Sequence, residues 1–285
     1  MSQPGVEVVV VAYNAPASLA RCLAGLQRQF AVTVVDNSSS TEVAAVARDG
    51  GARYIDAGAN RGFAVAVNIA LESLAGEQSD VLLLNPDALI EPEAVALMSA
   101  FLHAAGRDRV GAVAPLLRGE DGREQQVAWP FPTPLRMCAE AIGLGRLPAR
   151  RRFVIGAALL LRSAALEDVG RFDERFFLYA EETDWQRRAA ARGWRSAVCP
   201  EALARHEGAG SSADERRREA LFHAAQETYI RKWYGRGGWL VYRLAAGAGA
   251  GARALLLTSE RRAEASRRLR LYRRGPRRSA AMEQD

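Results

Sequence analysis

Cysteine is scarce: Cys22, Cys138 and Cys199 are the three in the chain, and no two stand at Cys-x-x-Cys spacing. That argues against a zinc ribbon or a dithiol redox motif and fits a reducing, cytoplasmic compartment. Two glycine signatures are missing as well. No Gly-x-Gly-x-x-Gly follows the first strand-like run, and no Gly-x-x-x-x-Gly-Lys-Ser/Thr occurs anywhere. The two commonest ways of cradling phosphate with backbone amides are therefore absent. The first residues lack the basic and apolar regions of a signal peptide, and the run Val6–Ala12 is only strand-length. The best candidate for a membrane span, Trp239–Thr258, is broken by Arg243 and Arg253. A central arginine costs about 2.5–3.5 kcal/mol on insertion, so this segment is expected to lie on a surface or pack in a helix pair. The basic tail is poor in aromatics, with only Tyr272 in the last stretch. Base stacking is thus poorly supplied, which argues against a nucleic-acid partner. Internal repeats are absent.

What is present suffices for one large α/β domain with a C-terminal appendage: 285 residues, 49% hydrophobic and 25% charged. The net charge of +6 favours anionic partners. Arginine dominates from Arg253 onward, so the excess is concentrated in the tail.

Strand-like and helix-like segments alternate through the first half. Val6–Ala12, Val32–Val35, Arg53–Asp56, Val81–Leu84 and Val110–Ala114 read as strands, the β-branched runs among them as buried on both faces. Between them, Ser18–Gln29 (entered through Pro16), the segment after Thr41 (as cap), Gly62–Leu74 and Pro92–Leu102 read as helices. This order predicts a Rossmann-like, mostly parallel sheet flanked by helices. Further on, Gly119–Trp129 reads as a hairpin or loop, Pro130–Pro148 as irregular, Phe153–Leu161 as a strand, and Glu182–Arg192 as a helix closed by Gly193. Ser196–Cys199 reads as a strand and Ala213–Trp233 as a long helix, with a hinge at Gly235–Gly238. The expected organisation is a domain over 1–234, with a nucleotide-binding half 1–115 and a catalytic half 116–234, and a helical, arginine-rich extension over 235–285.

Ligands of open α/β sheets sit beyond the carboxyl ends of the strands. Three such ends are polar: Ala12-Tyr13-Asn14, Asp36-Asn37-Ser38 and Asn85-Pro86-Asp87. Asp36 can accept from a pyrimidine N–H, although turn formation alone would also account for it. With no glycine loop, a diphosphate needs a hard cation held by carboxylates, and Asp87 is placed for Mg²⁺ or Mn²⁺. In Asn60-Arg61-Gly62 through Asn68, the glycine allows close approach, the asparagines can bond ribose or phosphate oxygens, and Arg61 brings positive charge. Asn60 as a plain helix cap is the competing explanation. The acidic run Glu181-Glu182-Thr183-Asp184 follows an apolar Phe-Phe-Leu-Tyr stretch. Partial burial there would raise a carboxyl pKa towards that of a general base, and Trp185 offers a face for a sugar ring. The helix dipole alone would also favour those acids. His206 is a metal-ligand candidate; His103 and His223 lie in helical patterns and receive no role.

Taken together, the chain resembles glycosyltransferase family 2, with the GT-A fold, and within it the bacterial rhamnosyltransferase-like branch. The resemblance rests on Val10–Asn14, Val34–Ser39, Asn60–Asn68, Leu83–Asp87, Gly156–Arg162, Gly170–Phe177, Glu181–Asp184 and His206 with Gly208 and Ser211, in family order from Val6 to Ser211. It implies that Ala12, Tyr13, Asn14, Asp36, Asn60, Arg61, Gly62, Asn68 and Asn85 bind the nucleotide sugar. By the same resemblance Asp87 and His206 bind the metal, with Asn85-Pro86-Asp87 standing where relatives have Asp-x-Asp. It implies an inverting displacement with a base among Glu182, Glu181 and Asp184, Glu182 favoured, and Trp185 on the acceptor side. The family's Glu-Asp pair is Glu181-Glu182 here, one methylene longer. The implied donor is dTDP-L-rhamnose, with a UDP-hexose as runner-up. The implied acceptor is a carbohydrate, free or lipid-linked, as in cell-wall or surface polysaccharide synthesis. The tail from Trp239 to Arg278 is expected to hold the protein peripherally on an anionic membrane surface, the inner face of the cell membrane; packing on the catalytic domain or a second subunit is the alternative.

Overall fold

A computed structural model describes residues 5–26, 29–76, 78–144, 152–206 and 215–282. The expected Gly208 and Ser211 of the histidine motif lie outside these residues. In chain order the first elements are β1 (Val6–Ala12), α1 (Pro16–Leu23), β2 (Ala31–Asp36), α2 (Thr41–Asp49), β3 (Arg53–Asp56), α3 (Phe63–Ser73), β4 (Asp80–Leu84), β5 (Ala88–Ile90), α4 (Pro92–His103) and β6 (Val110–Arg118). There follow β7 (Glu124–Gln125), β8 (Ala128–Pro130), α5 (Pro134–Ala141), β9 (Arg152–Val154), β10 (Ala158–Leu161), α6 (Ser163–Val169), α7 (Glu181–Ala191), β11 (Arg195–His206), α8 (Glu215–Leu256), α9 (Ser259–Arg274) and α10 (Pro276–Met282).

The main sheet runs β3-β2-β1-β4-β10-β6-β11-β5, with β7 paired to β6. Strands β3, β2, β1 and β4 are parallel; β10 lies antiparallel between β4 and β6, and β11 runs parallel to β6. The chain leaves β1 towards β2 and β3 and returns on its other side as β4. The ends of β1 and β4 therefore flank a topological switch point, where such sheets open a crevice. The continuous run Val8–Ala12 is buried throughout, as a strand covered on both faces must be. Val8 and Val10 face one apolar layer with Leu19, Leu23, Met98 and Leu102. Val9 and Val11 face the other, with Ala64, Val67, Trp185 and Trp194.

Several boundaries differ from the expectation for physical reasons. Ser40, not Thr41, caps α2, its hydroxyl accepting from the Val43 amide. The run Phe153–Leu161 is split into β9 and β10, because the chain turns through Ile155, Gly156 and Ala157. The proline-rich stretch contains a helix, α5, for which Thr133 is the cap and Pro134 the first residue. The chain divides into two compact units, Met1–Trp129 with Arg151–Phe177 and Glu181–Ala213, and Pro130–Arg150 with Leu178–Ala180 and Asp214–Asp285. The second unit thus begins well before Gly235.

Within that unit α8 is bent at Gly235, whose φ of 65° and ψ of −166° are non-helical, at the expected hinge. Beyond it α8 packs along α9 around Trp239, Tyr242 and Tyr272. Arg243 donates to the Tyr272 and Arg273 carbonyls at the end of α9, so its charge is used inside this helix pair. His223 Nδ1 lies 2.8 Å from the Tyr272 hydroxyl oxygen, and burial lowers the His223 pKa to about 3. Among the described residues no helix is long and apolar enough to cross a membrane.

Candidate active site

Strand β2 ends in a turn organised by Asp36. One carboxylate oxygen accepts from the Ser38 amide and hydroxyl, and the other from the Ser40 amide at 2.9 Å and the Tyr54 hydroxyl at 3.0 Å. Four donors fill the carboxylate's usual acceptor positions. The neighbouring Asn37 is also buried: its amide donates to the Ala12 carbonyl at the end of β1, and its Nδ2 to the Gly62 carbonyl at 3.0 Å. Its Oδ1 has no hydrogen-bond partner among the described residues. Asn37 therefore ties the ends of β1 and β2 to the loop before α3 and leaves a buried acceptor there. Asn14, just past β1, holds a left-handed φ of 50°, a conformation that asparagine tolerates better than most residues.

Gly62 has φ 85° and ψ 167°, a region open almost only to glycine. A Cβ here would stand 2.5 Å from the Phe177 carbonyl oxygen, and the Phe63 amide donates to that oxygen at 2.6 Å. The glycine thus permits contact between the loop before α3 and the chain leading to the acidic helix. Asn60 accepts from the Gly62 amide through Oδ1, and Arg61 is exposed beside it.

On the other side of the switch point, β4 runs into Asn85-Pro86-Asp87. The Asn85 amide donates to the Ala157 carbonyl at 2.9 Å, and β5 begins directly after Asp87. Because β5 pairs antiparallel with the end of β11, with Ala88 opposite His206, the imidazole reaches Asp87. His206 Nε2 lies 3.6 Å from Asp87 Oδ1. The other ring nitrogen, Nδ1, lies 3.1 Å from Gln125 Oε1. Two bonds of about 2.0–2.2 Å to one ion allow such a separation, and the carboxylate oxygen suits a hard cation such as Mg²⁺ or Mn²⁺. No group of three or more candidate metal-ligating side chains occurs among the described residues, so these two would need further ligands from a bound diphosphate or water. Cys22 lies close, its thiol 3.7 Å from the Asn85 carbonyl. Burial first, and the Asp87 carboxylate second, raise its pKa to about 12, so it remains a thiol.

Helix α7 carries the acidic run in its first turn, where the helix dipole favours negative charge. Gln186 anchors it to β9, accepting from the Val154 amide at 2.8 Å and donating to the Val154 carbonyl at 2.7 Å. Glu182 is thereby laid against Gly156, one residue from the Ala157 carbonyl that receives Asn85; a Cβ on Gly156 would stand 3.5 Å from Glu182 Cγ. Desolvation raises the pKa of both Glu181 and Glu182. Glu181 is raised further by the Glu182 charge and by its hydrogen bond to Glu182, whereas that bond and the Glu182 and Thr183 amides act to lower Glu182. Both carboxyls are thus held above the ordinary carboxylate range, Glu181 further than Glu182, as when a close pair shares one proton. Glu182 Oε2 has no partner among the described residues, leaving an acceptor available. Tyr179 and Ala180, just before the helix, both have left-handed φ values, 69° and 64°, the kind of local strain that collects at functional sites.

The structure thus brings Asn85, Asp87 and His206 together, with Glu182 beside the Gly156–Ala157 turn that holds Asn85. Asn37 joins the Ala12 and Gly62 carbonyls, next in the chain to the turn that Asp36 organises. Three expectations are corrected. Trp185 is fully buried, donates to the Gly170 carbonyl and stacks on Phe172 at 6.0 Å, so its ring belongs to the core and cannot receive a sugar. Asn68 is buried in α3 with its amide bonded to Phe172 and Glu174, so it fastens a loop. Asp184 is buried and pairs with Arg188 at 3.1 Å, one turn along the helix, which gives it a structural partner in place of an acceptor hydroxyl. Sequence reasoning missed Asn37, Tyr54, Gln125 and Gln186. Only Asn37, inside a polar strand end, carried a local signal.

Residues 4–227 match the family described as glycosyltransferase like family 2. The chain is 34% identical to the N-acetylglucosaminyl-diphospho-decaprenol L-rhamnosyltransferase of Mycobacterium tuberculosis, across 78% of this chain and 82% of that one. Its fold is similar to that of glucosyl-3-phosphoglycerate synthase from Mycobacterium tuberculosis, crystallised with Mn²⁺, uridine diphosphate and phosphoglyceric acid. The TM-score is 0.57 at 15% identity, covering 80% of this chain and 78% of that one. Residues 1–349 of S. aureus TarS give a TM-score of 0.51 at 18% identity, covering 95% and 92%. These structural neighbours share the GT-A fold. The chain belongs to glycosyltransferase family 2: it is a glycosyltransferase of GT-A fold, rhamnosyltransferase-like in sequence.

Proposed function

We propose that this enzyme transfers L-rhamnose from dTDP-L-rhamnose to a hydroxyl of a lipid-linked carbohydrate, by a single inverting displacement that needs a divalent cation. The observation that carries the reading is the placement of Asp87 and His206, 3.6 Å apart, at the switch point, with Glu182 against the adjoining Gly156. The sugar and acceptor class are supported by the name of the 34%-identical relative, which acts on an N-acetylglucosaminyl diphospho-lipid.

In this reading Ala12, Tyr13 and Asn14 hold the nucleoside together with the turn that Asp36 shapes and the loop at Asn60 and Gly62. Asn85 lines the same crevice, and the exposed Arg61 faces the anionic donor. Asp87 and His206 hold Mg²⁺ or Mn²⁺, which when bound neutralises the departing diphosphate. Glu182 takes the acceptor hydroxyl proton as the new C–O bond forms at the anomeric carbon and the bond from that carbon to the diphosphate oxygen breaks. Glu181 keeps the shared proton, so that Glu182 stays ionised for this work.

A lipid-linked acceptor would place the enzyme at a membrane surface, and the second unit offers a face for it. Beyond Gly235, α8 exposes Val241, Leu244, Ala248, Ala252 and Leu255 at three- and four-residue spacing, Leu244 by 64% and Leu255 by 83%. From Thr228 to Ser259 there is no acidic residue, which suits an anionic leaflet.

Isothermal titration across dTDP-L-rhamnose, UDP-glucose and UDP-N-acetylglucosamine, with Mn²⁺ and with chelator, tests the donor. The expected result is metal-dependent binding that favours dTDP-L-rhamnose. Turnover with a UDP-hexose and none with dTDP-L-rhamnose would overturn the choice of donor.

A further inference from the structure

The hairpin that joins β6 to β7 delivers Gln125 to His206. Gly119 and Gly122 close its turn, and Leu117 lies opposite Gln125. Gln125 makes two contacts with the same histidine: Nε2 donates to the His206 carbonyl at 3.3 Å, and Oε1 lies 3.1 Å from Nδ1. The first contact decides the chemistry of the second. A carbonyl can only accept, so the amide nitrogen must face it, and the amide oxygen must then face Nδ1. An oxygen acceptor there requires that Nδ1 carry a hydrogen. In the neutral ring the lone pair is thereby left on Nε2, the nitrogen that faces Asp87 at 3.6 Å.

We infer that Gln125 is a positioning residue of the catalytic centre: it holds His206 in the Nδ1-protonated tautomer and aims the Nε2 lone pair at the cation held with Asp87. The inference rests on the metal reading proposed above and adds to it the residue that selects the ligand's tautomer. Gln125 touches neither donor nor acceptor in this account and acts through the imidazole. Outer partners of this kind orient a ligating histidine and commonly govern metal affinity by 10–100-fold.

The chain has three histidines, His103, His206 and His223, so a long-range ¹H–¹⁵N spectrum contains three imidazoles, and the signal lost in His206→Ala identifies the relevant one. At pH 8.5 the metal-free protein is expected to show His206 carrying its hydrogen on Nδ1. Gln125→Leu is expected to shift the ring towards the Nε2-protonated form and to weaken Mn²⁺ binding, followed by the electron paramagnetic resonance of free Mn²⁺, by roughly 10–100-fold. Gln125→Glu retains an acceptor for Nδ1 and is expected to preserve the tautomer and most of the affinity. It also guards against a Leu variant that merely disturbs the hairpin, which melting curves of both variants would reveal. An Nε2-protonated His206 in the wild type overturns the inference without recourse to any variant. So does Mn²⁺ binding that Gln125→Leu leaves intact while His206→Ala abolishes it. If His206→Ala binds Mn²⁺ as the wild type does, the metal assignment of His206 fails, and that failure is recognised separately from the tautomer.

Discussion

Gly62→Ala is the substitution whose cost the structure sets most directly. The backbone at this position lies at φ 85° and ψ 167°, where a residue with a Cβ is strained by about 1–3 kcal/mol. The added methyl would also stand 2.5 Å from the Phe177 carbonyl oxygen and 2.9 Å from its Cα, and these are backbone atoms that cannot swing aside. Overpacking of this kind costs about 1–3 kcal/mol. The two effects together predict a loss of ~2–6 kcal/mol, a large part of the 5–15 kcal/mol typical of a folded domain. At about 2–4 °C per kcal/mol for a unit of this size, the melting temperature should fall by ~4–24 °C. Thermal unfolding followed by circular dichroism measures it. Gly58→Ala is the control: its φ is 76° but nothing lies within 4 Å of the new methyl, so only the strain contribution applies. A Gly62→Ala melting temperature within 2 °C of the wild type, or one equal to that of Gly58→Ala, would refute the reasoning.

Glu181→Gln should stabilise the protein at neutral pH. A carboxyl whose folded pKa is raised contributes stability that is complete below its unfolded value near 4.5 and is lost as pH rises through the folded one. The advantage of the variant over the wild type should therefore grow from pH 4.5 upward, and a difference in melting temperature that is flat with pH would contradict the assignment of the proton to Glu181. Asp87→Ala should abolish transfer, as should excess chelator with the wild type; full turnover in either case removes the metal from the account. Co-sedimentation with anionic liposomes should be strong at low salt and reduced by Leu244→Glu/Leu255→Glu; a double variant that binds like the wild type would discard the α8 face as the membrane contact.

Most of the sheet is legible in the sequence because its strands are short apolar runs separated by helical spacing. Val6–Ala12 and Arg53–Asp56 have the same limits in both readings. The antiparallel insertion of β10 between β4 and β6 is not legible, since strand order depends on pairings between residues that are far apart in the chain. The helix α5 hides among prolines because Pro134 at a first helical position looks like a breaker until Thr133 is recognised as its cap. The candidate site divides in the same way. Asp87 and His206 are visible as chemistry, and the β5–β11 pairing explains their meeting. Trp185 misleads because an aromatic beside an acidic run suggests a sugar platform, whereas its ring lies in the core, stacked on Phe172. Gln125 carries no local signal, because its role arises only when a hairpin meets a strand end 81 residues away.

The central claim is that Glu182 is the base of a metal-dependent transfer in which its neighbour keeps the proton. The most direct test is the turnover of dTDP-L-rhamnose with an N-acetylglucosaminyl diphospho-lipid acceptor in Mn²⁺ by the wild type and by Glu182→Gln, with donor binding measured alongside. The account predicts that kcat falls by roughly 10²–10⁴-fold while the donor still binds, as expected on removal of a general base. A Glu182→Gln enzyme that turns over at the wild-type rate would contradict it, as would a comparable loss of kcat confined to Glu181→Gln.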